Sequence, residues 1–126
     1  MDQNKLIDLA WKARENAYVP YSHFKVGACI ALKDGTFVQG CNIENAAYGS
    51  TMCAERNAIA NMITHKDNKI EKVLVITTNG RVLFPCGSCR ELMMQLDESA
   101  AQIEILMSYP KVKTILLKEL LPNWWA

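Results

Sequence analysis

Histidine is scarce in this chain, which has only His23 and His65 among its 126 residues. Neither stands at ligand spacing from a cysteine, so neither is expected to hold a metal. An excess of charge of one sign is also missing. Fourteen Lys and Arg against 13 Asp and Glu leave a net charge of +1 at pH 7. The charges are interspersed and form no basic stripe, which argues against a nucleic-acid partner. No apolar run reaches the roughly 18 residues that would cross a bilayer, so no membrane partner is expected. The opening Met1-Asp2-Gln3-Asn4-Lys5 lacks the apolar core of a secretory signal, and the expected location is the cytoplasm. Repeats, linkers and low-complexity tracts are absent. The expectation is one domain spanning 1–126, long enough to bury a core of its own.

Cysteine, by contrast, is well supplied. Five is an odd number, and in a reducing compartment such cysteines serve as ligands or buried thiols rather than disulfides. Cys86 and Cys89 have Cys-x-x-Cys spacing, and Cys53 lies upstream. Cys29 and Cys41 fall in strand-like runs and read as small buried hydrophobes.

The periodicity predicts a helix over 3–17, with Leu6, Leu9, Ala10, Ala13 and Ala17 on one face and Pro20 ending it. Strands follow at 24–32 and 36–43, joined by an Asp34-Gly35 hairpin turn. Gly27 within the first strand signals a close backbone approach or a bulge. A second helix is predicted over 53–64, with Ser50 or Thr51 as its cap. The continuously apolar Val73-Leu74-Val75-Ile76 reads as a central strand, and Asn79-Gly80-Arg81 as a turn. A helix over 88–97 with Leu92, Met93 and Leu96 inward, a strand over 103–107 and a strand over 112–116 complete the sheet. The link between the last two strands is too short for a crossover helix, so they should pair antiparallel. A last helical turn over 117–121 stops at Pro122. The order α-ββ-α-β-α-β-β predicts an α/β fold of three α-β-α layers around a five-stranded mixed sheet.

Cys53, Cys86 and Cys89 are the candidate metal ligands. Zinc takes thiolates readily and prefers four tetrahedral ligands, and three protein ligands with an open position mark a catalytic site. Both cysteine regions lie at predicted helix N-termini, where free N–H groups and the helix dipole favour thiolate. Three thiolates on Zn²⁺ carry a net negative charge. Arg56 and Arg90, each just past a ligand region, are positioned to offset it, or else are ordinary surface residues. Glu55 lies two residues after Cys53 and is placed to exchange a proton with a water activated by the metal. Alternatively, it is a first-turn acid favouring the helix dipole, and the two roles are compatible. A structural zinc ribbon would need a second Cys-x-x-Cys pair, and a redox Cys-x-x-Cys would leave Glu55 unexplained.

Cys53-Ala54-Glu55 followed by Pro85-Cys86-Gly87-Ser88-Cys89-Arg90 matches the signature of the zinc deaminases. The chain resembles the small homotetrameric cytidine deaminases over nearly its whole length. The resemblance extends through Tyr21-Ser22-His23-Phe24-Lys25-Val26-Gly27-Ala28, Gly40-Cys41-Asn42-Ile43-Glu44-Asn45-Ala46-Ala47-Tyr48 and Glu119-Leu120-Leu121-Pro122. It implies one zinc per subunit and hydrolytic deamination of cytidine and 2'-deoxycytidine at C4, with Glu55 as proton shuttle, in pyrimidine salvage. It also implies that Asn42 and Glu44 hydrogen-bond the ribose, that Phe24 packs on the pyrimidine, and that N–H groups around Ala54 and Cys86 hold the carbonyl side of the base. Ala46 and Tyr48 are expected to reach a neighbouring subunit's active site. Trp125 stands where an aromatic covers the base. Read as residues alone, Asn42 and Glu44 are loop positions, Phe24 a core position and the Trp pair a subunit contact. Glu91 departs from the family's usual Gln, and the Arg90-Glu91 pair is similar to some blasticidin S deaminases. The alternatives are thus a deaminase of such a modified cytosine nucleoside, an enzyme that edits nucleic acid, and a non-catalytic zinc-stabilised binding module.

Overall fold

The computed structural model of the chain describes residues 3–47, 52–65, 69–77, 80–109 and 111–122. Helix α1 (Gln3–Glu15) buries Leu6, Ala10 and Ala13 on one face. It ends two residues before the predicted boundary. Asn16 and Ala17 bond back to Ala13 and Arg14 at 3.1 Å, a tighter turn that leaves the chain ready for Pro20.

Strands β1 (Gly27–Leu32) and β2 (Phe37–Cys41) form the expected antiparallel hairpin. Gly35 takes φ +91° at its tip, and the Thr36 N–H bonds the Asp34 carboxylate at 2.9 Å. The first strand begins at 27 rather than 24, because Phe24 and Val26 bond to the Asn42 side chain instead of a strand.

Strand β3 (Ile70–Ile76) is the centre of the sheet, antiparallel to β1 on one side. On the other side it runs parallel to β5 (Glu104–Ser108). Between these two come β4 (Val82–Leu83), helix α3 (Gly87–Met94) and a 3-10 turn at Ala100–Gln102. β6 (Lys113–Leu116) returns antiparallel to β5, and helix α4 (Leu117–Leu120) follows it. The long path is β2-β1-β3-β5-β6, the five-stranded mixed sheet that was expected, and β4 adds a short sixth strand on the end of β3.

Side-chain alternation divides the core in two. Ala28, Ile30, Val73, Val75 and Ile105 face α2 (Ala54–Thr64), α3 and α4. Cys29, Ala31, Leu74, Ile76 and Leu106 face α1. Both faces of the central strands are covered, which is why Val73–Ile76 reads as an unbroken apolar run. Cys29 is fully buried, as a small hydrophobe would be, while Cys41 is half-buried. No helix among the described residues is long and apolar enough to cross a membrane. Asn79 of the predicted turn lies outside the described residues, and Gly80 takes φ +80°.

Two glycines set how closely the helices approach the sheet. A Cβ on Gly27 would sit 2.3 Å from the Ala10 carbonyl of α1. One on Gly40 would sit 2.4 Å from both the Ala54 carbonyl and the Ala58 nitrogen of α2. The obstructing atoms are backbone, so the helix as a whole must move. Gly40→Ala is expected to destabilise the chain by about 1–3 kcal/mol, the usual cost of overpacking. Gly87→Ala, where a Cβ meets nothing within 4 Å, is expected to stay within about 0.5 kcal/mol. Denaturant unfolding of both variants checks the difference.

Candidate active site

Two helices begin on cysteines. Cys53 is the N-cap of α2, and Cys86 is the N-cap of α3. Ser50 and Thr51, the expected caps of α2, lie outside the described residues. Cys89 sits one turn into α3 and is fully buried. The Cys53 and Cys86 sulfurs are 3.5 Å apart, the Cys86 and Cys89 sulfurs 3.3 Å, and all three lie within 4.8 Å of one another. A tetrahedral zinc with Zn–S bonds near 2.3 Å spaces its sulfurs about 3.8 Å apart, so the cluster fits the ion. It is the one such group among the described residues. His65 lies at the far end of α2, against the Asn61 carbonyl.

The electrostatics of the thiols favour a cation. Burial pushes the Cys53 thiol up to about 11, and its hydrogen bond to Cys86 adds to the shift. Burial also raises Cys89, with the Glu55 charge adding to it. Three thiolates this close repel one another, and a divalent ion offsets that repulsion by displacing the protons.

Glu55, in the first turn of α2, is only 5% exposed, and its Oε2 accepts the Cys86 N–H at 3.3 Å. Burial raises its pKa above the usual carboxylate range, opposed by that hydrogen bond and by the charge of Arg56. A carboxyl whose pKa is raised by burial, beside a cluster of three sulfurs, is suited to taking and returning a proton. The Cys86 N–H, expected to face the base, is thus engaged by Glu55. Ala54 is the first residue of α2, and such an N–H has no partner within its own helix.

A cleft of about 230 Å³ opens over the cluster, lined by Asn42, Cys53, Ala54, Glu55, Phe84 and Cys86, with Val26 and Val75 in its wall. A larger hollow of about 390 Å³ lies between the β1–β2 turn and the end of α2, at Asp34, Asn61 and His65, and contains none of the cysteines. The chemistry is therefore assigned to the smaller cleft. Leu83 and Phe84 also line it and were not singled out from the sequence. The one trace of them in the sequence is an apolar pair placed directly before Pro85-Cys86.

The other predicted residues divide by position. The Asn42 amide braces the neighbouring segment, accepting from the Val26 N–H and donating to the Phe24 carbonyl, both at 2.9 Å. Glu44 accepts the N–H groups of Tyr21 at 3.1 Å and Ser22 at 3.0 Å, as well as the Ser22 hydroxyl. Phe24 is 44% exposed, and Ala46 is exposed. Tyr48 and Trp125 lie outside the described residues. Arg56 donates to the Ser88 hydroxyl, which joins α2 to α3. Arg90 donates to the Pro85 carbonyl at 2.7 Å and the Leu120 carbonyl at 3.1 Å, tying the segment before Cys86 to α4.

Comparison with known proteins agrees with this geometry. Residues 1–105 match the family model described as the cytidine and deoxycytidylate deaminase zinc-binding region. The chain is 40% identical to a cytidine deaminase of Halalkalibacterium halodurans, over 98% of this chain and 93% of that protein. It is 37% identical to one of Mycobacterium tuberculosis, over 98% and 89%. The crystal structure of the Mycobacterium tuberculosis cytidine deaminase superposes with a TM-score of 0.86 at 35% identity, covering 100% of this chain and 98% of the other. That of Burkholderia pseudomallei does so with the same score and identity, covering 98% of each. With the family model matched over residues 1–105, close relatives along nearly the whole chain and the same fold, the chain belongs to the cytidine and deoxycytidylate deaminase family of enzymes.

Proposed function

We propose that the chain deaminates cytidine and 2'-deoxycytidine hydrolytically to uridine and 2'-deoxyuridine, with one zinc per subunit. The observation that carries this reading is the buried Glu55 carboxyl inside the cleft, bonded to the backbone of one cysteine of the cluster. The same reading makes it a cytoplasmic homotetramer serving pyrimidine salvage. Its small net charge and the curated names of its relatives support a free nucleoside over a nucleic acid as substrate.

Cys53, Cys86 and Cys89 would hold the zinc, whose Lewis acidity lowers the pKa of a water toward neutrality. Glu55 would take a proton from the attacking water and deliver it to N3 of the cytosine ring. The water's oxygen ends on C4. Glu55 then helps protonate the departing amino group, so that cytidine and water become uridine and ammonia. The cleft is shared by apolar Val26, Leu83 and Phe84 and polar Asn42 and Glu55, a wall that suits a flat base with one polar edge. Phe24 is assigned to the base, and Asn42 and Glu44 to the ribose. Ala46 and Tyr48 are assigned to the neighbouring subunit's site and Trp125 to the cover over the base. Arg56 and Arg90 hold positive charge close to the sulfurs.

Absorbance assays on cytidine, deoxycytidine and blasticidin S test the substrate. Turnover of the two nucleosides is expected, and turnover of the antibiotic alone would overturn the assignment. Glu55→Gln is expected to lower kcat by at least about 10²-fold, the scale of general acid–base catalysis, while zinc content stays unchanged. Cys89→Ala is expected to lose the metal, checked by elemental analysis. Zinc affinity in the wild type should fall as pH falls, because each ligand thiolate must give way to a proton-bearing thiol.

The raised pKa of Glu55 has its own signature in metal-free protein. The folded state holds the proton more tightly than the unfolded state, so its stabilising contribution is complete below the ordinary value of 4.5 and is lost as pH rises above it. Glu55→Gln should therefore raise the melting temperature of metal-free protein at pH 7 and have little effect at pH 4, measured by thermal scans at both.

A further inference from the structure

Residues 21–26 are tied to residues 42–44 by a belt of hydrogen bonds, and one side chain in it has no part in the chemistry above. The Ser22 hydroxyl donates to Glu44 Oε2, and its oxygen accepts the Phe24 N–H at 3.0 Å. The Tyr21 and Ser22 N–H groups bond the other carboxylate oxygen at 3.1 and 3.0 Å. An ionised carboxylate offers about four acceptor positions, so this one turn fills three of them. The turn is held in a tight conformation, with His23 at φ 57° and its N–H on the Val19 carbonyl at 3.0 Å. Hydrogen bonding from Ser22 keeps the Glu44 pKa below the usual range. Phe24 is pinned from both sides, its N–H by Ser22 and its carbonyl by the Asn42 amide at 2.9 Å.

We infer that Ser22 is a positioning residue for substrate binding. Its hydroxyl fixes the Glu44 carboxylate and the Phe24 backbone relative to each other, so one side chain sets both the group offered to the sugar and the ring offered to the base. The inference rests on the assignment of Phe24 and Glu44 to the substrate. A serine that only stabilised the turn would change the melting temperature and leave KM alone.

The test uses zinc-loaded enzyme and cytidine. Absence of turnover in the wild type would overturn the underlying function rather than the role of Ser22. In Ser22→Ala, KM is expected to rise about tenfold, the scale of a hydrogen bond to a charged group, with kcat falling less than KM rises. Ser22→Thr keeps a hydroxyl and should bring KM back toward the wild-type value. In a Glu44→Gln background, Ser22→Ala should raise KM by a smaller factor than it does in the wild type, because the two act through one contact. The inference is overturned if active wild type and Ser22→Ala share one KM, if only kcat changes, or if the two substitutions act additively on KM.

Discussion

The structure depends on bringing two helix N-termini to one point. Cys53 and Cys86 are 33 positions apart in sequence, yet their sulfurs lie 3.5 Å apart. Each helix start has its own support. α2 lies directly on β2 because Gly40 has no side chain, and Asn57 of α2 bonds the Cys41 carbonyl at 2.7 Å. α3 is approached through β4, whose Val82 and Leu83 pair with Ile76 and Val75 at the end of β3. The buried Pro85 then carries the chain to Cys86. Burial at this meeting point pushes the Cys53 and Cys89 thiols up and outweighs the pull of the two helix N-termini, so the sulfurs become thiolates when a cation displaces their protons.

The same convergence explains why Glu55 differs from an ordinary first-turn acid. On an exposed helix it would be solvated and ionised. Here it is buried, close enough to raise the Cys89 pKa by its charge, and hydrogen-bonded to the backbone of the facing helix. The sulfur cluster and the buried carboxyl beside it are consequences of one packing arrangement. The arginines near the cluster also join pieces of the chain. Arg56 bridges α2 to α3 through Ser88, and Arg90 bridges the Pro85 carbonyl to α4.

Much of this was legible in the residues. The unbroken run Val73–Ile76 identified the central strand because both of its faces are covered. Asp34-Gly35 identified the hairpin because the turn needs a positive φ at the glycine. The spacing of Cys53, Cys86 and Cys89 identified the cluster because ligand chemistry restricts residue type more tightly than packing does. What could not be read came from contacts distant in sequence. β4 has only two residues, too few for any periodicity, and it exists because the end of β3 offers it hydrogen-bonding partners. The first strand starts late because the Asn42 side chain takes the backbone groups that a strand would have used. Leu83 and Phe84 became part of the cleft only once β4 had placed them there. The use of the Cys86 N–H by Glu55 joins residues 31 positions apart, and no local pattern announces it.

The central claim is that these three cysteines hold a zinc ion with one position left open for chemistry. X-ray absorption at the zinc edge of the purified chain tests it most directly. The account predicts three sulfur scatterers at about 2.3 Å and one lighter scatterer at about 2.0 Å. A shell of four sulfurs, or protein that retains no zinc when purified with it, would contradict the account.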